Sequence, residues 1–268
     1  MWRHTEHSVT LLIAVTLGIS SQARADSAVI LGAGNVGSWT ASGYLANPNS
    51  SSETLTVADV PFPCQPPMAC PLNPVLVPPL GSASLTQLLT GEFTTYYVTQ
   101  VESSPPAFPI VRARLESSTP LSRSVDIPVV TLSRLMAANI STLNFGGITS
   151  EPPPPCAFGI PCFPAHSTLV LGDIRRTDTA PIEDLPVLLE LFDPTGNRVA
   201  SASLTVPYGE TILIGDVVAY IGGLGTFVGE LGQLRVTRAS GGALMWGIVY
   251  TISFSGTVTA SAGVNLSP

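Results

Sequence analysis

The sequence predicts an all-β protein made of two tandem β-sandwich modules, and three observations predict this class. The chain has 24 glycines and 25 prolines among 268 residues and only 11% charged residues, which favours short strands joined by turns over long exposed helices. Runs rich in Val, Thr, Ile, Tyr and Phe recur at short spacing, with turn residues between them. A series of matching features also occurs twice, in the same order.

The first 25 residues have the three parts of a secretory signal. Arg3 lies in a polar start, an apolar run covers residues 9–19, and small residues end at Ala23-Arg24-Ala25. This run of 11 residues is shorter than a membrane-spanning helix requires. We therefore expect residues 1–25 to be a cleaved signal peptide, followed by an exported mature chain without a transmembrane segment.

The four cysteines form two pairs of equal spacing inside proline-rich stretches, Cys64 with Cys70 and Cys156 with Cys162. An even number of cysteines in an exported chain favours disulfides, and our hypothesis is that each pair closes its own loop. The spacing is wider than that of a zinc knuckle, and His166 is the one histidine that follows the signal. We therefore expect no metal site.

Local patterns predict several individual elements. Asp193-Pro194-Thr195-Gly196-Asn197 has the residues of a hairpin turn, with proline presetting one dihedral angle and glycine supplying a positive one. Residues 131–139 are the one persuasive helical segment. The clearest strands are expected at residues 53–60, 110–116, 185–192, 200–206 and 247–254.

The internal repeat appears when residues 26–127 are laid over residues 165–260. In this overlay Val29-Ile30-Leu31-Gly32 falls on Leu169-Val170-Leu171-Gly172, and residues 53–60 fall on 187–192. Val77-Pro78-Pro79-Leu80-Gly81 then falls on Val206-Pro207-Tyr208-Gly209, and residues 111–114 fall on 234–237. A repeat of about 100 residues has the size of an immunoglobulin-like β-sandwich. We therefore expect modules at residues 26–148 and 149–268.

The stretch Gly32-Ala33-Gly34-Asn35-Val36-Gly37 matches the glycine pattern of dinucleotide-binding folds. That pattern has chemical meaning only where a helix follows, and residues 38–48 are poor in strong helix formers and end at a proline. We interpret the glycines as a turn after the first strand, expect no cofactor, and predict that Trp39 starts or flanks a strand.

The first repeat also resembles a known kind of module. Trp39-Thr40, an alternating strand ending at Asn47-Pro48, a Val-Pro-Pro turn and a closing hairpin are similar to β-sandwich modules that recur, often in tandem, in exported bacterial proteins. The second repeat looks like the same module, with Arg176-Thr177-Asp178 at its start and Leu191-Phe192-Asp193-Pro194-Thr195-Gly196 at its hairpin, but it lacks the Asn-Pro. The resemblance implies a surface-associated or adhesion-like role, and it supports the fold more than the function.

The chemistry-bearing residues do not match a catalytic pattern. The net charge is −7 and all eleven cations are arginines, which argues against nucleic acid and anionic membranes as partners. With His166 as the available base, no G-x-S-x-G and no lysine, we expect no catalytic residues. The densest acidic cluster is interpreted as a solvated loop and comprises Asp173, Asp178, Glu183 and Asp184.

The sequence therefore predicts an exported, non-enzymatic protein with a structural or adhesion-like role at the cell surface or in the extracellular space. The alternative is a carbohydrate-binding protein that uses exposed aromatic rings, and a secreted hydrolase is third. The expected partner is a surface protein or a polysaccharide. Trp39, Tyr96 and Tyr97 are candidate ligand contacts, Tyr44 is a further aromatic candidate, and Trp246 is expected in the core.

Overall fold

The all-β class is confirmed in a computed structural model of the protein, in which strands make up 65% of the described residues. The signal segment and all four cysteines lie outside those residues, so the signal peptide and the disulfides stay predictions. The described residues are 27–35, 38–59, 73–91, 94–100, 108–117, 123–138, 140–151, 164–174, 183–223, 231–240, 244–254 and 257–263.

The earlier part of the described chain forms two antiparallel sheets, which we call together the first sheet pair. Its elements are β1 (Ser27–Ala33), β2 (Trp39–Ala46), β3 (Glu53–Asp59), β4 (Asn73–Val77), β5 (Ser82–Ser84), β6 (Thr94–Gln100), β7 (Ile110–Ser117), β8 (Arg123–Ile127), β9 (Val129–Thr131) and α1 (Leu132–Ala138). Sheet A has the strand order β4-β3-β6-β1-β9, and sheet B has the order β5-β2-β7-β8.

The later part forms the second sheet pair. Its elements are β10 (Thr142–Ile148), β11 (Ser150–Glu151), β12 (Ala165–Ile174), β13 (Leu185–Phe192), β14 (Arg198–Val206), β15 (Thr211–Ile214), α2 (Val217–Ile221), β16 (Gly232–Arg238), β17 (Leu244–Ile252) and β18 (Val258–Ala262). Sheet C has the order β10-β16-β13-β14. Sheet D has the order β11-β12-β17-β18, and β15 pairs with β12 beside β11.

The two sheet pairs share one strand topology, which supports the repeat seen in the sequence. The order β4-β3-β6-β1 corresponds to β14-β13-β16-β10, and β5-β2-β7-β8 corresponds to β15-β12-β17-β18. The sequence overlay agrees at β3 with β13 and at the turns after β4 and β14. It is wrong by one strand at both ends, because β12 corresponds to β2 and not to β1, and β16 corresponds to β6 and not to β7.

The change of sheet partners precedes the boundary expected at residues 148 and 149. Strand β10 begins at Thr142 and pairs with β16 of sheet C, so residues 142–148 belong to the second sheet pair. Short apolar strands resemble one another in composition, and their partners across the sheet are set by contacts distant in sequence.

The local predictions are largely confirmed. Trp39 begins β2, so a strand and not a helix follows the glycine stretch, and α1 lies within the predicted helical segment. The hairpin between β13 and β14 is closed by the Asp193 N–H, which donates to the Asn197 carbonyl at 2.9 Å, with Gly196 at φ 90°. Each of the five expected strands has a counterpart within about three residues at its ends.

Two apolar clusters lie between the sheets, an arrangement consistent with two β-sandwiches. The first contains Val29, Leu55 and Val98 from sheet A with Leu45 and Leu115 from sheet B. The second cluster joins sheets C and D through Phe145, Leu189, Val236, Leu169 and Met245.

Sheet D is buried on both of its faces. On β17, Met245 and Val249 belong to the core between sheets C and D, whereas Trp246, Ile248 and Tyr250 belong to the core of the first sheet pair. Alternate residues of a strand point to opposite faces, so β17 forms part of both cores. Sheet D therefore contributes to the cores of both sheet pairs.

Two glycines leave space for Trp246, the largest buried side chain of sheet D. Gly172 lies opposite Trp246 in the β12–β17 register, and a Cβ at Gly172 would lie 2.5 Å from Cζ2 of the indole. From the first sheet pair, Gly32 approaches the same ring, where a Cβ would lie 3.4 Å from Cη2. Gly32 also has a φ of 66°, which favours glycine. Gly32 and Gly172, which end the two matching apolar segments of the sequence overlay, therefore both pack against Trp246.

The equivalent turns after β4 and β14 have different residues at the third position, where the backbone needs a positive φ. The Gly81 N–H donates to the Pro78 carbonyl at 3.1 Å, and the Glu210 N–H donates to the Pro207 carbonyl at 3.0 Å. The third position of the turn has a positive φ in both, 71° at Gly209 but 50° at Leu80. Leu80 thus carries a backbone strain that the second turn avoids.

We expect Leu80→Gly to raise the free energy of unfolding by about 0.5–1 kcal/mol. Relief of the left-handed conformation contributes roughly 1–2 kcal/mol, and the greater freedom of glycine in the unfolded chain offsets part of it. The Leu80 side chain is 75% exposed, so little packing is lost. Chemical denaturation measures the change, and the matched variant Gly209→Ala is expected to destabilise. A destabilised Leu80→Gly variant would contradict the prediction.

Gly172→Ala is expected to destabilise the protein by at least about 1–3 kcal/mol, because the new methyl group overlaps a buried indole. Gly146→Ala in β10 is the control, since a Cβ there meets nothing within 4 Å. Both variants are compared with wild type by urea denaturation. Because Trp246 of sheet D belongs to the core of the first sheet pair, we expect both sheet pairs to unfold in a single transition. Two separate transitions would show that packing through sheet D does not couple the two sheet pairs.

Candidate functional site

Sheet B buries one face and presents the other to solvent. On β7, Ala113 and Leu115 point into the core, while Arg112 and Arg114 are exposed on the opposite side. Strands β2 and β8 alternate in the same way. The outer face of sheet B, as we use the term, carries Thr40, Ser42, Tyr44, Arg112, Arg114, Glu116, Ser124 and Asp126.

The strand register arranges these side chains in rows across the sheet. Tyr44 lies opposite Arg112, and the next row along places Ser42, Arg114 and Asp126 side by side. Directly opposed residues in an antiparallel sheet have their Cβ atoms about 4.5–5.5 Å apart, close enough to act on one ligand together. The sheet thus brings an aromatic ring and two guanidinium groups onto one surface.

The charges on this face are unevenly compensated. Nη1 of Arg114 lies 3.5 Å from Oε1 of Glu116, and its Nε lies 3.9 Å from Oδ1 of Asp126. Among the described residues, Arg112 has no ion pair and no side-chain hydrogen bond. The face therefore keeps one uncompensated cation beside Tyr44, in a chain with a net charge of −7.

Two shallow polar depressions lie on the outer face. One, with a volume of about 370 Å³, is lined by residues that include Tyr44, Thr86 and Arg112. The other has a volume of about 450 Å³ and lies over Thr40, Glu116 and Ser124. Arg114 borders both, so together they form one continuous polar track along the sheet.

An apolar cleft of about 230 Å³ lies where the inner face of sheet B meets sheet D. Trp39, Leu115 and Val125 form one wall. The other wall belongs to the second sheet pair and consists of His166, Thr168, Leu213, Gly215, Tyr250, Ile252 and Val258. The hydroxyl of Thr168 already donates to the Gly215 carbonyl at 2.7 Å, so this polar group is satisfied within the wall.

The predicted aromatic contacts lie in different places. Trp39 is half-buried in the apolar cleft. Tyr96 and Tyr97 are 4% and 1% exposed, so neither presents a ring face to solvent, and the Tyr96 hydroxyl accepts the Gly91 N–H at 2.6 Å. Trp246 is buried, as expected. Tyr44, at 46% exposure, is the aromatic of this set that a ligand can reach.

Two members of the acidic cluster support the turn after β14. Oδ1 of Asp173 accepts the Gly209 N–H at 2.9 Å, and Oδ1 of Asp184 accepts the Tyr208 N–H at 3.0 Å. Asp178 lies outside the described residues. The interpretation of a solvated loop is wrong for Asp173, which is 2% exposed, because β12 continues through this position into the interior.

Burial raises the pKa of Asp173 to about 7, since the charged form loses its hydration. The Gly209 hydrogen bond opposes this shift, and the nearby Asp184 adds to it. The second carboxylate oxygen, Oδ2, has no hydrogen-bond partner among the described residues. Burial also raises the pKa of Tyr97, and the charge of Asp173 adds a smaller contribution.

In the part of the chain that the structure describes, His166 and the candidate metal-binding side chains form no recognisable reaction centre. Nδ1 of His166 lies 3.2 Å from the Pro164 carbonyl, and the ring borders the apolar cleft. Within the described residues, no group of three or more His, Cys, Asp or Glu side chains is placed to hold a metal ion. Neither helix in the described part of the chain has the length and apolar character needed to cross a membrane.

No protein-family model matches this chain, and no curated protein matches it.

Asp173→Asn is expected to stabilise the protein at neutral pH and to weaken the pH dependence of its stability. The folded-state pKa is raised, so the contribution of Asp173 to stability is fully present below about pH 4 and is lost as the pH rises towards 7. A rise from 3.8 to about 7 corresponds to a loss on the order of 4 kcal/mol from this group. Urea denaturation from pH 4 to 8 measures it.

Asp126→Asn is the control, because its side chain is 88% exposed. The difference between wild type and Asp173→Asn should grow across this pH range, while the control should follow wild type. A constant difference would show that the folded-state pKa of Asp173 is not raised.

Proposed function

We propose that this protein is an exported, non-enzymatic pair of immunoglobulin-like β-sandwich modules with an adhesion-like role, and that it binds its partner through the outer face of sheet B. The observation that carries the proposal is the placement of exposed Tyr44 directly opposite the uncompensated Arg112. Export rests on the signal-like first 25 residues.

The architecture supports binding more than chemistry. The face lies on regular strands whose inner side is packed into a core, so the backbone positions that carry its side chains are fixed before a ligand arrives. Serine and threonine hydroxyls between the charged groups offer donors and acceptors to a polar partner. An open track along a sheet suits an extended ligand.

The carbohydrate-binding alternative is favoured by the same residues. Sugar rings have apolar faces that pack on aromatic rings and hydroxyls that bond to polar side chains, and Tyr44 with its neighbours supplies both. A hydrolase has less support from the placement of the candidate groups. Asp173 and Asp184 hold a turn, and His166 borders an apolar cleft.

The apolar cleft is a weaker candidate for the binding site. Its volume of about 230 Å³ is below the roughly 300–1,000 Å³ of most small-molecule sites. Its walls come from sheets B and D, which both contribute to the core of the first sheet pair, so the cleft is better explained as a packing gap between these sheets.

Tyr44→Ala is expected to weaken binding of the mature protein to its partner by roughly 5–30-fold, since ring stacking contributes about 1–2 kcal/mol. A glycan array followed by titration of the retained glycans measures the affinity. Tyr220→Ala is the matched control, because Tyr220 is 51% exposed and lies on α2. Saturable binding that Tyr44→Ala leaves unchanged would place the binding site elsewhere.

A further inference from the structure

The charged groups of the outer face differ in what they have left to offer a ligand. Arg114 is engaged by Glu116 and Asp126, whereas Arg112 has no described partner and its side chain is exposed. A guanidinium group presents two parallel N–H donors that match the two oxygens of a carboxylate. Arg112 is therefore the group on this face best suited to pair with an anion.

We propose that the outer face of sheet B binds a carboxylated saccharide, with a sugar ring against Tyr44 and its carboxylate on Arg112. This assignment rests on the proposed function of the same face. The two side chains lie opposite each other in the register, so one ring can meet both.

The charge balance favours a singly charged substituent. Glu116 lies on the same strand as Arg112 and Asp126 lies on the adjacent strand β8, and these two carboxylates on the outer face repel a dense anion such as a sulfated or phosphorylated polymer. A uronate residue carries one carboxylate per ring, which one available guanidinium neutralises. The net charge of −7 of the chain makes an anionic ligand depend on such a local cation.

The apolar and polar groups around Arg112 fit a sugar better than an acidic peptide. Tyr44 and Ile110, which is 54% exposed, both border Arg112 and cover the apolar face of a ring. Ser42, Thr40 and Ser124 follow along the track and offer hydroxyls to further rings. From Tyr44 to Thr40 the strand rises by roughly 13 Å, which is long enough for an oligosaccharide.

The test measures binding of the mature protein to oligosaccharides that carry a single uronate residue, by calorimetry at low and moderate salt. The same oligosaccharides with their carboxylates reduced to alcohols, a neutral dextran, a dextran sulfate and poly-glutamate are the comparison ligands. Arg112→Gln and Tyr44→Ala are the test variants. Arg134→Gln is the matched control, because Arg134 is an exposed arginine on α1.

We expect the carboxylated oligosaccharide to bind about tenfold more tightly than its reduced form, and Arg112→Gln to remove that preference while Arg134→Gln keeps it. Tyr44→Ala should weaken both forms. Equal, Tyr44-dependent binding of the reduced form overturns the carboxylate assignment and leaves the proposed function standing. Equal binding of dextran sulfate or poly-glutamate makes the face a general anion site and also overturns it. Failure of every ligand overturns the carboxylate assignment and the carbohydrate-binding alternative, whereas binding that is independent of Tyr44 contradicts the proposed binding face as well.

Discussion

The packing of the Trp246 indole against Gly172 and Gly32 is the contact on which the rest of the structure depends. The ring extends from sheet D into the core of the first sheet pair, and a side chain at Gly172 would occupy the same space. Protein interiors are close-packed, so a bulky ring and a missing side chain must be matched where they meet. This match allows sheet D to pack closely against the first sheet pair.

Sheet D lines both cores, and the apolar cleft beside Trp39 lies where it meets sheet B. The carboxyl group of Asp173 is buried near the end of β12 in the same sheet. In such surroundings an ionised carboxylate is costly, which is why the pKa of Asp173 rises to about 7. The stability of the protein is therefore linked to pH through Asp173.

The outer face of sheet B is exposed because sheet D meets sheet B on its inner side, at Trp39, Leu115 and Val125. Alternation along each strand commits one side of sheet B to the core and leaves the other side to solvent. The strand register then decides which exposed side chains become neighbours. It places Tyr44 beside Arg112, and it places Arg114 near both Glu116 and Asp126. A binding surface formed in this way needs no loop to close over the ligand.

The sequence by itself determined the all-β class, the limits of several strands, the hairpin at Asp193 and the short helix α1, because turn chemistry and side-chain alternation act over a few residues. Trp246 could be assigned to the core from its apolar strand. Only the tertiary structure decided that Tyr96 and Tyr97 are buried, that Tyr44 and Arg112 adjoin, and that β12 corresponds to β2. These outcomes depend on which strands pair, and pairing is set by contacts between segments far apart in the chain. The same reason explains Gly32, whose partner Trp246 lies more than two hundred residues later.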